Sequence, residues 1–306
     1  MRESLRVMTR TEPFGRVVTA MVTPMHADLS LDLDGAQQLA THLVDAGNDA
    51  LVINGTTGES ATTTDHEQEM LVRAVVEAVG DRALVIGGAS SNDTVHAVER
   101  ARLAYKAGAH GLLVVTPYYN KPQQSGVLAH FAAVADATPL PVMLYDIPGR
   151  TGVAIDVETV VRLAQTHPQV VAVKDAKADL QAASWAIARS RLAWYSGDDG
   201  LTLPFLSIGA VGVVSVVSHV ATRPLVAMIE AFRSGRVDEA AQIHRDLMPV
   251  FSGMFAVPGV VSAKAALAQR GLPSGPVRPP MVDDTEVELA QLVLALAAGG
   301  IEGFAA

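Results

Sequence analysis

Eight short runs rich in β-branched residues recur along the chain, and no other feature restricts its fold as tightly. They read RVVTAMVTP, ALVING, LVIGGAS, LLVVTPYY, PVMLYDIP, VVAVKDA, AWYSGDD and VGVVSVVS. Longer Ala/Leu-rich stretches with helical patterning separate them. The runs return at intervals of roughly 20 to 35 residues, which is room for one strand, one helix and two loops. Strands this continuously apolar belong to a parallel sheet buried on both faces. Eight such units predict an α/β fold, a closed (β/α)8 TIM barrel. A doubly wound open sheet would alternate in the same way. Against it, no G-x-G-x-x-G or G-x-x-x-x-G-K-[ST] comes after the first run, and these are the nucleotide signatures of many such folds.

Beyond about residue 222 the strand-like runs stop and helical patterns continue. The reading is therefore an N-terminal arm over 1–15, a catalytic barrel over 16–230 and additional C-terminal helices over 231–306. The arm, MRESLRVMTRTEPFG, mixes both charge signs and lacks the apolar core of a signal peptide. The stretch from Leu201 to Thr222 has no Asp, Glu, Lys or Arg and is long enough to cross a bilayer. Pro204, Gly209, Gly212, Ser207, Ser215, Ser218 and His219 interrupt it, which favours a short helix followed by a buried strand, with no membrane involvement.

Of the 306 residues, 49% are hydrophobic and 18% charged, enough for one large core. There is no cysteine, which removes thiolate chemistry, disulfides and cysteine-bound metals and fits a cytoplasmic setting. A net charge of −9 excludes nucleic acid as a partner, because no basic face is available to meet phosphates. An anionic substrate must then be held by local groups. The nine histidines show no metal-ligand spacing, so neither a metal nor another cofactor is expected.

In a barrel of this type the active site forms where the strands end. The residues at the end of each run are polar or small: Thr23-Pro24, Gly55 to Ser60, Ser90-Ser91-Asn92, Thr116 to Asn120, Tyr145 to Arg150, Lys174-Asp175, Ser196 to Asp199, and Ser215. Lys174 closes the run VVAVK. Strand parity sets Val170, Ala172 and Lys174 on one face, with the small Ala172 leaving room. If that face is the barrel interior, desolvation lowers the amine pKa and supplies a nucleophile for a carbonyl. If it is not, the side chain snorkels into water. Lys177, three residues on, reads as solvated.

The other candidates carry similar alternatives. Thr56 and Thr57, flanked by Gly55 and Gly58, form either an anion-holding turn or a loop that caps the next helix. Tyr119 and Tyr145 are proton carriers or packing tyrosines. Arg150 is an exposed loop residue or a fork for a carboxylate. Asp198 and Asp199 are adjacent carboxylates in a loop, whose side chains usually diverge, which weighs against glycoside chemistry.

Taken together and in order, GTTGES, TPYYNKP, YDIPGRTG, Lys174 and SGDD resemble the dihydrodipicolinate synthase family, from about residue 15 to 300. Each motif alone is modest; five in register are specific. The wider group includes N-acetylneuraminate lyase and sugar-acid aldolases, and a sibling pyruvate aldolase acting on a sugar acid is the alternative. The second tyrosine of TPYYN and the arginine of IPGRTG favour the synthase.

The resemblance implies that pyruvate forms an imine with Lys174, becomes an enamine and attacks the aldehyde of L-aspartate 4-semialdehyde. The product is 4-hydroxy-tetrahydrodipicolinate, on the lysine and diaminopimelate route. It also implies a proton relay of Tyr145, Thr56 and Tyr119, the last from a neighbouring subunit. Thr57 would hold the pyruvate carboxylate, Arg150 that of the semialdehyde, and the backbone around Gly197 and Val214 would shape the pocket. The implied assembly is a homotetramer of two tight dimers.

Two departures stand out. PGVVSAK, Pro258 to Lys264, replaces an N-P-x-P-V-K pattern, so contacts there are expected to differ. At the family's lysine-feedback site Asn92, Tyr118 and Ser60-Ala61 match, but Asp65, Gln68 and His96 replace His, His and Glu. Weak or absent inhibition by lysine is the expectation.

Overall fold

The computed structural model describes residues 12–304. All eight β-branched runs are strands: β1 (Val17–Ala20), β2 (Ala50–Ile53), β3 (Leu84–Gly88), β4 (Gly111–Val115), β5 (Val142–Asp146), β6 (Val170–Asp175), β7 (Ala193–Ser196) and β8 (Gly212–Ser215). Each pairs in parallel with the next, and β8 returns to β1 with Val18 opposite Val214, closing the barrel. The helices between them are α1 (Leu33–Asp45), α2 (Asp65–Val79), α3 (Thr94–Lys106), α4 (Gln124–Ala135), the single turn α5 (Pro148–Thr151), α6 (Val157–Thr166), α7 (Leu180–Arg189) and the short α8 (Thr202–Ser207). The last barrel helix, α9 (Ser218–Arg233), runs three residues past the 230 boundary read from the sequence. Four more helices follow: α10 (Val237–Asp246), α11 (Met248–Gly253), α12 (Gly259–Gln269) and α13 (Glu286–Ala298).

Alternation along the strands sorts the core into two layers. Val17, Leu51, Val85, Leu112, Leu144 and Val213 point outward into the helix layer. Val18, Val52, Ile86, Leu113, Met143, Tyr195 and Val214 fill the barrel. A fully buried side chain of this size stabilises by about 1.5–3 kcal/mol, which is why both faces of each strand are apolar. At Gly212 an added Cβ would lie 2.0 Å from the Arg16 carbonyl oxygen, so β8 can close on the start of β1 only with a bare backbone.

Residues 1–11 of the expected arm lie outside the described residues, and its last residues are tied to the barrel. Phe14 is 0% exposed and packs with the inner layer. Its backbone N–H donates to the Tyr195 hydroxyl at 3.2 Å, and that hydroxyl donates to the Gly15 carbonyl at 2.9 Å. The stretch Leu201 to Thr222 is α8, β8 and the first turn of α9. No helix among the described residues is long and apolar enough to cross a membrane.

Candidate active site

Parity along β6 fails at one point, and the failure explains how Lys174 is placed. Opposite β5 the register shifts, Val142 pairing with Val170 and Met143 with Ala172, so β6 carries one extra residue near Val171. Val170 therefore joins the outer layer, contrary to the face-sharing read from the sequence, while Ala172 lies inside the barrel. Beyond the bulge alternation resumes and sets Lys174 inward, opposite Tyr145. Its side chain does not snorkel: the residue is 5% exposed and its Nζ lies 4.3 Å above the centre of the Tyr145 ring.

Burial pushes the Lys174 amine down to about 8, Asp199 holding it up and Arg150 pressing it further down. Near pH 7 about one such amine in ten is neutral, some 300-fold more than for an unshifted lysine. Burial also pushes the Tyr145 phenol up to about 12, against the charge of Arg150 and a hydrogen bond with Thr56. Tyr145 is thus protonated at neutral pH, a donor held beside the Lys174 amine.

Lys174 and Tyr145 line a cavity of about 470 Å³ together with Thr56, Thr57, Arg150 and Gly197. Between β2 and α2 the chain turns tightly: the N–H groups of Gly58 and Ser60 donate to the Gly55 carbonyl, and that of Glu59 to the Thr56 carbonyl. A Cβ on Gly58 would crowd Asn54 N and Met21 O, both at 3.2 Å. The alternative of a helix cap does not hold, because α2 is capped by Thr64 in a box with Glu67. Both threonines are left to face the cavity. Gly197 approaches the end of β6, its N–H donating to the Asp175 carbonyl at 2.7 Å, and a Cβ would lie 3.0 Å from that of Ala176. Arg150, in α5, is exposed at the rim.

Two candidates stand elsewhere. Tyr119 is 88% exposed, has φ +72° and is not on the cavity wall of its own chain. A bulky side chain held in the left-handed region is uncommon. Val214 fills the barrel interior; on that side the cavity wall is Val216. Asp198 and Asp199 diverge as expected. Asp198 accepts from Gly200 N at 3.0 Å, whereas Asp199 is buried, accepting from the Ser215 hydroxyl and from Val216 N at 3.0 Å. Burial raises the Asp199 carboxyl to about 6.

Lys177 is not solvated, in contrast to the sequence reading. Its side chain is 18% exposed, with Nζ 3.4 Å from the buried Asp146 carboxylate. The apolar side of the cavity comes from Met248, Phe251, Phe255 and Val260, which the sequence reading did not single out. As apolar positions in the C-terminal helices and the turn after α11 they carry no local signal of a site. Pro258 and Gly259, within the departing PGVVSAK stretch, also reach the cavity.

The arrangement joins a desolvated amine to a protonated phenol, two hydroxyls and a rim arginine. It can form an imine with a small oxo acid and seat a second anion at the mouth. The chain matches the model of the dihydrodipicolinate synthetase family over residues 13–298. It is 64% identical to 4-hydroxy-tetrahydrodipicolinate synthase 2 of Streptomyces coelicolor, across 96% of this chain and 98% of that one. Identity is also 64% to 4-hydroxy-tetrahydrodipicolinate synthase of Acidothermus cellulolyticus, across 97% and 96%. Among solved structures, DHDPS from Cyanidioschyzon merolae with lysine bound superposes with a TM-score of 0.93 at 45% identity, across 95% and 99%.

Proposed function

The chain belongs to the dihydrodipicolinate synthetase family, and from that premise we propose how its residues divide the work. It is a 4-hydroxy-tetrahydrodipicolinate synthase, a lyase of class I aldolase type that condenses pyruvate with L-aspartate 4-semialdehyde in lysine and diaminopimelate biosynthesis. Lys174 is the nucleophile. Its neutral amine adds to the keto carbon of pyruvate, and loss of water gives a protonated imine. Tyr145, with Thr56, delivers the proton that lets the water depart. Thr57 and the adjoining turn hold the pyruvate carboxylate.

Loss of a methyl proton turns the imine into an enamine, whose carbon attacks the semialdehyde, and the aldehyde oxygen takes up a proton. The amino group of the semialdehyde portion then adds to the imine carbon. This closes the ring and releases Lys174. Arg150 at the rim holds the semialdehyde carboxylate by charge-assisted hydrogen bonds. Gly197 keeps the wall beside the lysine thin, and Val214 backs the site from inside the barrel.

Tyr119 acts in the site of a second copy, as its 88% exposure and positive φ support. The assembly is a homotetramer made of two tight dimers, working in the cytoplasm, a reducing compartment that suits a chain without cysteine.

The observation that carries the reading is the 5% exposure of Lys174 with its Nζ 4.3 Å over Tyr145. Incubation with pyruvate and cyanoborohydride, followed by peptide mass analysis, tests it. The peptide bearing Lys174 gains one reduced pyruvate unit; an unmodified peptide refutes the assignment.

A further inference from the structure

Glu59 sits one residue beyond the Gly55–Gly58 turn, at φ +57°, and its side chain is 4% exposed. Its two carboxylate oxygens bind separate groups of the C-terminal region. Oε1 lies 2.5 Å from Nζ of Lys264, itself 3% exposed, in α12. Oε2 accepts from the Arg278 backbone N–H at 2.7 Å. Lys264 also donates to the Pro276 carbonyl at 2.7 Å. Further along the same loop the fastening repeats: the Arg278 guanidinium donates to the Thr62 carbonyl at 2.8 Å and to Glu67, in the first turn of α2, at 2.6 Å.

The loop that presents Thr56 and Thr57 is thus tied from behind to a segment more than 200 residues away. A buried ion pair is poor evidence of net stabilisation, since an apolar pair of equal volume often serves as well. What it enforces is registry, because each charge tolerates only one position of the other. Glu59 does not line the cavity that holds Lys174 but borders the adjoining one, shared with Thr56, Tyr145 and Arg150, and both of its carboxylate oxygens are taken up by the C-terminal region.

We propose that Glu59 is a positioning residue for the condensation: through the buried pair with Lys264 and the bond from Arg278 N–H, it fixes the turn that aims Thr56 and Thr57 into the cavity. This rests on the roles given above to the two threonines. It makes α12 and the loop after it part of the pyruvate half of the site, whereas Arg150 stands apart in α5.

The test uses full-length Glu59→Gln, Lys264→Met and the double variant, with steady-state kinetics in both substrates and thermal melts. Each single change leaves one charge buried without its partner, lowering Tm. The double change leaves none and regains most of that loss. Positioning predicts the same kinetic split in every soluble variant, the double included: kcat falls at least five-fold, pyruvate KM rises at least five-fold, and semialdehyde KM stays within two-fold. A double variant melting near the wild type with wild-type kcat and pyruvate KM overturns the proposal, as does a soluble single variant with those kinetics. Trapping of pyruvate on Lys174 in the wild type is run alongside. Its failure would instead remove the underlying assignment of the site.

Discussion

The pH dependence of imine formation separates a buried, shifted Lys174 from an ordinary one. In the window from pH 7 to 9.5 the other groups acting on it keep their charge. Asp199 titrates near 6 and Tyr145 near 12. Only Lys174, held down to about 8 by burial, changes state. With the neutral amine as the proposed nucleophile, the rate of pyruvate capture rises as pH climbs toward that value and then levels. From pH 8 to 9.5 the neutral fraction grows about two-fold, whereas an unshifted lysine would gain about thirty-fold over the same interval. The assay is the initial rate of adduct formation at low pyruvate with cyanoborohydride, read by intact mass. Asp199→Asn removes the carboxylate that favours the ammonium, so its break lies below that of the wild type. A rate still climbing ten-fold per pH unit beyond pH 9 refutes the desolvation argument. A break that stays or moves upward in Asp199→Asn refutes the part assigned to that carboxylate.

Tyr145→Phe keeps the ring beneath Lys174 and removes the hydroxyl with its bond to Thr56, so kcat falls by about 10²–10⁴ while slow trapping of pyruvate persists; steady-state kinetics beside the trapping assay check both. Arg150→Ala raises the semialdehyde KM by roughly 10- to 100-fold through loss of a charged hydrogen bond, with the Lys174 adduct still forming. Phe14→Ala opens a cavity at the base of the barrel and lowers Tm by roughly 5–15 °C, measured by calorimetry with activity retained at low temperature. L-lysine below millimolar concentration leaves the rate unchanged in a steady-state assay. Here Asp65 is bound to His96 at 2.8 Å and Arg100 at 2.9 Å, and Gln68 donates to the Ser60 carbonyl, so an incoming ammonium group has to compete with these bonds.

The strands were legible because burial on both faces writes itself into a short run as composition, and all eight runs became β-strands in a closed ring. Lys174 was legible because an ammonium at the end of such a run conflicts with its surroundings, and local conflict of that kind marks a site. Parity alone placed its face correctly only because Ala172 and Lys174 lie on the same side of the bulge; Val170, before it, does not share that face. A bulge is set by registry with β5, which no window along β6 contains. Lys177 was misread for the related reason that its partner, Asp146, lies 31 residues upstream on a neighbouring strand. Glu59 and Lys264 are more distant still, and each sits in a segment that local pattern explains adequately without the other. The information lost is therefore of one kind, namely which polar group meets which across the barrel rim. It is also the information that decides whether the Gly55–Gly58 turn presents its threonines to substrate, since the turn's own residues leave that aim open until the C-terminal segment closes behind it.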